Sequence, residues 1–300
     1  MIAVTILGNN SAVPSHNRHP TAQVLQTAEH LMLIDCGEGT QMQMSRYKIK
    51  KSRINHIFIS HLHGDHYFGL IGLLNSLALN NRLTDLHIYG PEKLQSIIDI
   101  QMDLSGTGFP FQFYFHKLQK EGILFEDKKI SVECFEVNHR IECWGFMFRE
   151  KKNPRKIDIQ EVTNFKIPKS FYENLHHGED FVNEKNEVIK NEILTLPVEP
   201  PKSYAFCADT AFYEPIAEKI KGVDLVYHES TYLADLEKKA TLRFHSTSKQ
   251  AATIAKKAGA KKLLLGHFSS MYDTLEKFKE EASEIFENTE IAEEGTCYLA

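Results

Sequence analysis

Four times in this chain a short apolar run, of the kind that forms a buried strand, ends in a histidine or an aspartate. The first run is His56-Ile57-Phe58-Ile59, followed at once by Ser60-His61-Leu62-His63-Gly64-Asp65-His66. Extended backbone alternates its side chains, so His61 and His63 point the same way and both imidazoles can reach one ion. Asp65 and His66 lie just past the bend at Gly64 and can serve a second ion beside it. The other three runs are Phe135-Glu136-Val137-Asn138-His139, Tyr204-Ala205-Phe206-Cys207-Ala208-Asp209 and Lys262-Leu263-Leu264-Leu265-Gly266-His267. Strands finishing at one edge of a sheet bring such residues together, and loops there gather reactive groups on a rigid scaffold. The pattern predicts a metal-dependent hydrolase site. Taken singly, His139, Asp209 and His267 read as ordinary polar residues at strand ends; it is their conjunction with the HxHxDH run that points to metal.

The sequence of 300 residues, 42% hydrophobic, is expected to form one large domain with a substantial core. Strands are expected near 2–7, 23–27, 31–34, 56–59, 86–89, 130–138, 143–149, 203–207, 224–228, 262–266 and 296–299. Helices are expected near 40–48, 67–80, 92–104, 214–221, 247–258 and 274–287. Residues 149–198 break this rhythm. The segment opens basic, with Arg149, Lys151, Lys152, Arg155 and Lys156, and an insertion of that length between strands is long enough to be functional. The alternative reading is a charged excursion facing water.

A formal net charge of −5 gives no global basic field, so contact with nucleic acid would have to come from local patches. Five cysteines, Cys36, Cys134, Cys143, Cys207 and Cys297, are dispersed and form no CxxC pair, which argues against a disulfide framework or a zinc knuckle. The chain opens on the strand Ile2-Ala3-Val4-Thr5-Ile6-Leu7 and has no apolar stretch of membrane-spanning length, so the expectation is a cytoplasmic protein with no membrane contact.

The HxHxDH run, the later His139, Asp209 and His267, and the opening Leu7-Gly8-Asn9-Asn10-Ser11-Ala12-Val13-Pro14 resemble the metallo-β-lactamase superfamily, and within it the ribonuclease Z family, endonucleases that remove the 3′ trailer from precursor tRNA. The likeness covers nearly the whole chain. His228-Glu229-Ser230-Thr231-Tyr232 is similar to that family's HEAT motif and Phe244-His245-Ser246-Thr247 to its HST loop. The resemblance implies an αββα sandwich, two sheets face to face with helices outside, and it implies that the insertion is a protruding arm that grips the tRNA elbow. It also implies a homodimer.

For phosphodiester hydrolysis, two ions roughly 3.5–4 Å apart can share a hydroxide and offset charge on the entering and leaving oxygens. We assign His61, His63 and His139 to the first ion, Asp65, His66 and His267 to the second, and Asp209 to the bridge. Asp65 carries the further role, implied by the resemblance, of accepting the proton of the attacking water. Two zinc ions per chain suit the histidine-rich set, and manganese or iron(II) fits the same ligands. His245 is the candidate general acid and Glu229 the group that orients it, while Ser246-Thr247-Ser248 also reads as a plain helix N-cap. Ser11 and Arg18 in the opening loop, and Lys151, Lys152, Arg155 and Lys156 in the insertion, are candidate substrate contacts.

The sequence departs from the family pattern in three places. Arg18-His19 stands where Arg-Asn is usual, Met271 where an arginine is usual, and Pro168-Lys169-Ser170 lacks the usual Gly-Pro. Methionine cannot make the bidentate phosphate contact of an arginine. A general phosphodiesterase for cyclic nucleotides or small diesters would keep every ligand and have no need of the basic insertion; a noncatalytic RNA-binding relative would have lost ligands.

Overall fold

The computed structural model describes all residues but 107 and 153, and at 105 only the backbone. The chain forms two compact units. The larger comprises Met1–Glu126, Ser131–Arg149 and Lys202–Ala300, the smaller Asp127–Ile130 and Glu150–Pro201.

The larger unit holds two seven-stranded sheets. The first runs, from edge to edge, Cys297–Leu299, Ala3–Gly8, Ala22–Gln26, Leu31–Ile34, Ile54–Phe58, Leu86–Pro91 and Phe113–Leu118. The second runs Thr289–Ile291, Lys262–Gly266, Leu225–Glu229, Ser203–Cys207, Trp144–Glu150, Ile130–Glu136 and Gly122–Glu126. Their inner faces meet through aromatic side chains. Phe58 of the first sheet lies 5.5 Å, ring centre to ring centre, from both Phe146 and Phe148 of the second, and the Tyr204 hydroxyl donates across the interface to Gln23. The outer faces are covered by helices. Leu70, Leu73, Leu74, Leu94 and Ile98 pack from the helices Leu70–Leu79 and Glu92–Ser105 onto Ile57, Leu33 and Ile88. Ala251, Ala252, Ile254 and Ala255 of helix Ser248–Ala258 pack onto Ala205, Val226 and Leu263 of the second sheet. Two sheets covered on both outer faces form the expected αββα sandwich.

Parallel pairing places the functional loops. Cys207 is in register with His228, and His228 with Leu265, so the strands ending at Cys207, Glu229 and Gly266 deliver Asp209, Glu229 and His267 to one edge. Leu31–Ile34 and Ile54–Phe58 are likewise parallel, and their continuations carry Asp35 and Ser60-His61.

The structure departs from several sequence expectations. Expected helix 67–80 is two helices, Gly64–Tyr67 and Leu70–Leu79, because the chain must pass tightly against the Cys36-Gly37 turn: a Cβ on Gly69 would lie 2.2 Å from the Gly37 carbonyl oxygen. The helix expected at 214–221 shortens to Ile216–Lys219. Strands Phe113–Leu118, Gly122–Glu126 and Thr289–Ile291 and helix Glu237–Arg243 have no sequence counterpart.

The smaller unit contains most of the basic insertion. It has two two-stranded ladders, Lys156–Ile157 with Thr195–Leu196 and Phe181–Val182 with Val188–Ile189. Its small core is built on Val162, Ile167, Leu175 and Leu194. Asp158 caps helix Ile159–Asn164 by accepting from Gln160 and Glu161 backbone N–H groups. Cys36, Cys134, Cys143 and Cys207 are buried, Cys297 is exposed, and all five are free thiols. Among the described residues, no helix is long and apolar enough to cross a membrane.

Candidate metal centre

The seven residues expected to bind metal converge in the larger unit. His61, His63, His139 and Asp209 offer ligand atoms that all lie within 4.8 Å of one another, and Asp65, His66 and His267 form a second such group. Nε2 of His61 lies 3.0 Å from His63 Nδ1, which lies 3.1 Å from His139 Nε2. Nitrogens about 2.0–2.1 Å from a zinc ion stand roughly 3.3 Å apart at the tetrahedral angle, so this triangle is close to the size one ion requires. The second group is similar, with His66 Nε2 3.2 Å from His267 Nε2 and His267 Nε2 3.3 Å from Asp65 Oδ2.

Asp209 stands between the groups and gives one oxygen to each. Its Oδ2 lies 3.5 Å from His61 Nε2, and its Oδ1 lies 3.3 Å from His66 Nε2 and 3.1 Å from His267 Nε2. Despite these distances, no properly directed hydrogen bond reaches Oδ1, which is fully buried. A buried carboxylate oxygen without a hydrogen bond is costly, and a cation at this point would satisfy it. The residues fit a metal-ligand role.

The electrostatics agree. Burial pulls His61 well below the ordinary imidazole range and takes His63 down to about 4, and burial also lowers His139, so these rings are neutral at neutral pH and have a lone pair to offer. Burial opposes charge on His66, yet Asp209, Asp65 and Asp35 together push it well above its usual value. Burial acts to raise the Asp65 carboxyl, but His66 and His267 outweigh it and hold it below the carboxylate range.

Outer contacts fix most of the rings. His139 Nδ1 donates to the Phe244 carbonyl (2.9 Å), His66 Nδ1 to Asp35 Oδ2 (2.6 Å), and His267 Nδ1 meets Thr231 Oγ1 (2.9 Å), so each ring turns Nε2 inward. His63 is the exception: it turns Nδ1 inward, and its Nε2 accepts from Arg140 Nε at 3.2 Å. Ligation through Nδ1 needs the proton on Nε2, so metal binding at His63 and this arginine contact exclude each other.

Asp35 is a site residue that the sequence reading missed. It is completely buried, accepts from Ser60 N (2.7 Å) and Ser60 Oγ (2.8 Å), and steers His66. Asp35 (φ 55°), His267 (φ 59°) and Ala12 (φ 63°) all take the left-handed backbone conformation, which costs about 1–3 kcal/mol each away from glycine and is typical of functional sites. Ala12 spends its N–H on Asp65 Oδ2 at 2.7 Å.

His245 and Glu229 adjoin this cluster. The Glu229 carboxylate is fully buried and accepts from the backbone N–H groups of Thr210 (3.0 Å), Thr231 (2.9 Å) and Ser246 (3.0 Å), from Thr231 Oγ1 (2.8 Å) and from His245 Nδ1 (2.9 Å). Burial works against charge on His245, but Glu229 pushes it up to about 9, so it carries a proton at neutral pH. The N-cap reading of the same stretch holds as well: Thr247 forms a capping box with Gln250, two residues after His245. His228 turns away, with Nδ1 against its neighbour's carbonyl, and is buried.

The expected substrate contacts are dispersed. Ser11 lines a cavity with His245. Arg18 lines a different one, and its guanidinium donates to Asn10 Oδ1, the Tyr272 carbonyl and the Asp273 carbonyl, tying the opening loop to the segment after His267. Lys151, Lys152, Arg155 and Lys156 belong to the smaller unit, where Arg155 Nε donates to Thr195 Oγ1 (2.6 Å); Asn153 lies outside the described residues.

Residues 2–153 match the family described as Anti-Pycsar protein Apyc1. That stretch holds the HxHxDH run and His139 and stops short of Asp209, Glu229, His245 and His267. Ribonuclease Z of Parabacteroides distasonis is 43% identical over 295 residues, covering 97% of this chain and 97% of that protein. Human tRNase Z, short form, superposes with a TM-score of 0.72 at 28% identity, over 99% of this chain and 98% of that one. YhfI from Bacillus subtilis, a metallo-β-lactamase fold protein, reaches 0.70 at 19% identity over 99% and 98%, a likeness of fold.

Proposed function

The chain belongs to the ribonuclease Z family by likeness over nearly its whole length, its residues 2–153 falling also within the family described as Anti-Pycsar protein Apyc1, and on that premise we propose that it is a metal-dependent endoribonuclease. It hydrolyses one phosphodiester bond of precursor tRNA, releasing the 3′ trailer and leaving a 3′-hydroxyl on the tRNA. The observation that carries this reading is the placing of His245, held on Glu229, beside a seven-residue candidate ligand cluster shared through the two oxygens of Asp209.

Two zinc ions per chain are the proposed complement, supported by the five imidazoles and two carboxylates of the donor set; manganese and iron(II) suit the same atoms. When bound, they supply a water nucleophile at neutral pH and offset charge on the phosphate. His61, His63 and His139 would hold one, Asp65, His66 and His267 the other, with Asp209 common to both. Asp65, fixed by the Ala12 N–H, accepts the proton of the attacking water. His245 gives its proton to the leaving 3′ oxygen, and Glu229 keeps it charged and aimed until then.

The insertion at 149–198 is proposed as a tRNA-gripping arm, on the strength of its basic opening and a core of its own. A homodimer is proposed on the family resemblance, and a cytoplasmic location on the sequence, which has no apolar stretch of membrane-spanning length. End-labelled precursor tRNA, incubated with and without chelator, tests the reading. A cut at the mature 3′ end that chelator abolishes is expected; hydrolysis of small diesters with no cut in tRNA would transfer the site to the general phosphodiesterase reading.

A further inference from the structure

Beside His245 lies a cavity of about 300 Å³ lined by Arg140, Lys239 and Arg243, by the hydroxyl-bearing Ser11, Thr231, Ser269 and Ser270, and by no carboxylate. Lys239 and Arg243 are four residues apart on helix Glu237–Arg243, so one face of that helix turns both cations toward the cavity. Like charges at that spacing repel along a helix, a local cost that a bound anion would offset. Lys239 is held there by its neighbours: its ammonium stands 5.0 Å over the Tyr232 ring and 3.8 Å from Met271 Sδ. Met271 is where the sequence lacks an expected arginine, and the side chain beside its sulfur brings a cation back to that spot from another element. Arg140 adds a third charge, since its contact with His63 Nε2 cannot coexist with ligation through Nδ1.

We infer that this cavity is a phosphate subsite for the RNA strand on the leaving-oxygen side of the scissile bond, held by Lys239, Arg243 and Arg140, with Lys239 standing in for the arginine that Met271 replaces. The inference rests on the ribonuclease reading above. Its side of the bond follows from His245, which lines the same cavity and protonates the leaving oxygen; the next phosphodiester of the retained strand is the anion that three cations and the hydroxyls of Ser11, Ser269 and Ser270 would accept.

The test is the double variant Lys239→Gln/Arg243→Gln, whose side chains are exposed on the helix surface, so that folding is not at stake. KM for precursor tRNA should rise at least about tenfold more than KM for bis(para-nitrophenyl) phosphate, which has a single phosphate, as expected for lost hydrogen bonds to a charged group. The slope of log(kcat/KM) against log salt should flatten by about 1.4, two charges on a single strand. Lys239→Arg/Arg243→Lys should restore both. A tRNA KM that moves no more than the diester KM, or an unchanged slope, overturns the subsite. Inhibition of diester hydrolysis by the dinucleotide pTpT separates the two readings. If the wild type cuts no precursor tRNA yet pTpT inhibition weakens about tenfold in the double variant, the subsite stands and the ribonuclease reading falls. If tRNA is cut and pTpT inhibits both proteins equally, the subsite falls and the ribonuclease reading stands.

Discussion

Replacing Glu229 by glutamine keeps the side chain's size and removes the charge that holds the His245 proton. A general acid works only while protonated, so activity falls as pH rises through its pKa. With Glu229 in place His245 is pushed up to about 9. Without that carboxylate the ring falls back toward the ordinary 6.5, because burial then meets only the weaker pull of Asp209 and Asp65. At pH 6 about three-quarters of the variant would be protonated against nearly all of the wild type, so kcat should differ by less than about twofold. At pH 8 the protonated fraction falls from about nine-tenths to about 3%, a loss of roughly thirtyfold. Positive charge from bound metal moves both profiles down together, so the gap between them measures Glu229. The glutamine NH₂ also faces backbone N–H groups that Glu229 now accepts, from Thr210, Thr231 and Ser246. That conflict costs about 1–3 kcal/mol of stability at every pH, which thermal unfolding reads separately. The assay is single-turnover cleavage of precursor tRNA from pH 6 to 10 with metal content checked at each point. A folded, metal-loaded variant that loses the same factor at pH 6 and at pH 9 would refute the idea that Glu229 acts through the His245 proton.

Four more perturbations follow from the same geometry. His245→Ala should lower kcat by about 10²–10⁴-fold with metal content unchanged; loss of metal would instead make His245 a ligand, the role its grouping with Asp209 and His267 allows. Asp209→Ala should lower the metal found by elemental analysis from two equivalents, because each of its oxygens faces a different set of imidazoles, and two tightly held ions in the variant would sink the bridging assignment. Asp35→Asn should weaken metal affinity about 10–100-fold, since it alters the acceptor that orients His66 Nδ1, and competitive titration against a chromogenic chelator would show it. Replacing 151–201 by a short turn is feasible because Arg149 and Ser203 are antiparallel partners; it should weaken precursor tRNA binding and flatten its salt dependence, and unchanged binding would remove the arm's proposed role.

The candidate ligands were legible because their chemistry and their structural position coincide: an apolar strand that stops at a histidine or aspartate is visible in one dimension. Parallel register brings the stops at Asp209 and His267 together, while His61 follows a strand of the first sheet and His139 another strand of the second. Asp35 was not legible. Leu31-Met32-Leu33-Ile34-Asp35 ends like the others, but its aspartate acts only through Ser60 and His66, and that depends on two strands lying side by side. Strands Phe113–Leu118 and Gly122–Glu126 escaped for a different reason. They are sheet edges with half-exposed faces, so little apolar alternation marks them.

Helix Glu237–Arg243 is the extreme case, with Ala240 as its single buried residue. Periodicity cannot announce a helix that packs through one methyl group, and propensity alone rarely sustains seven residues in water. Yet this helix brings Lys239 and Arg243 to the cavity beside His245. Burial is what writes a pattern into a sequence, whereas a substrate-holding surface must stay open to solvent until its ligand arrives. The candidate metal ligands stand at the ends of buried apolar strands and are therefore readable; the cations that would hold RNA are exposed, and only their meeting across helix, loop and strand end shows them to be a group.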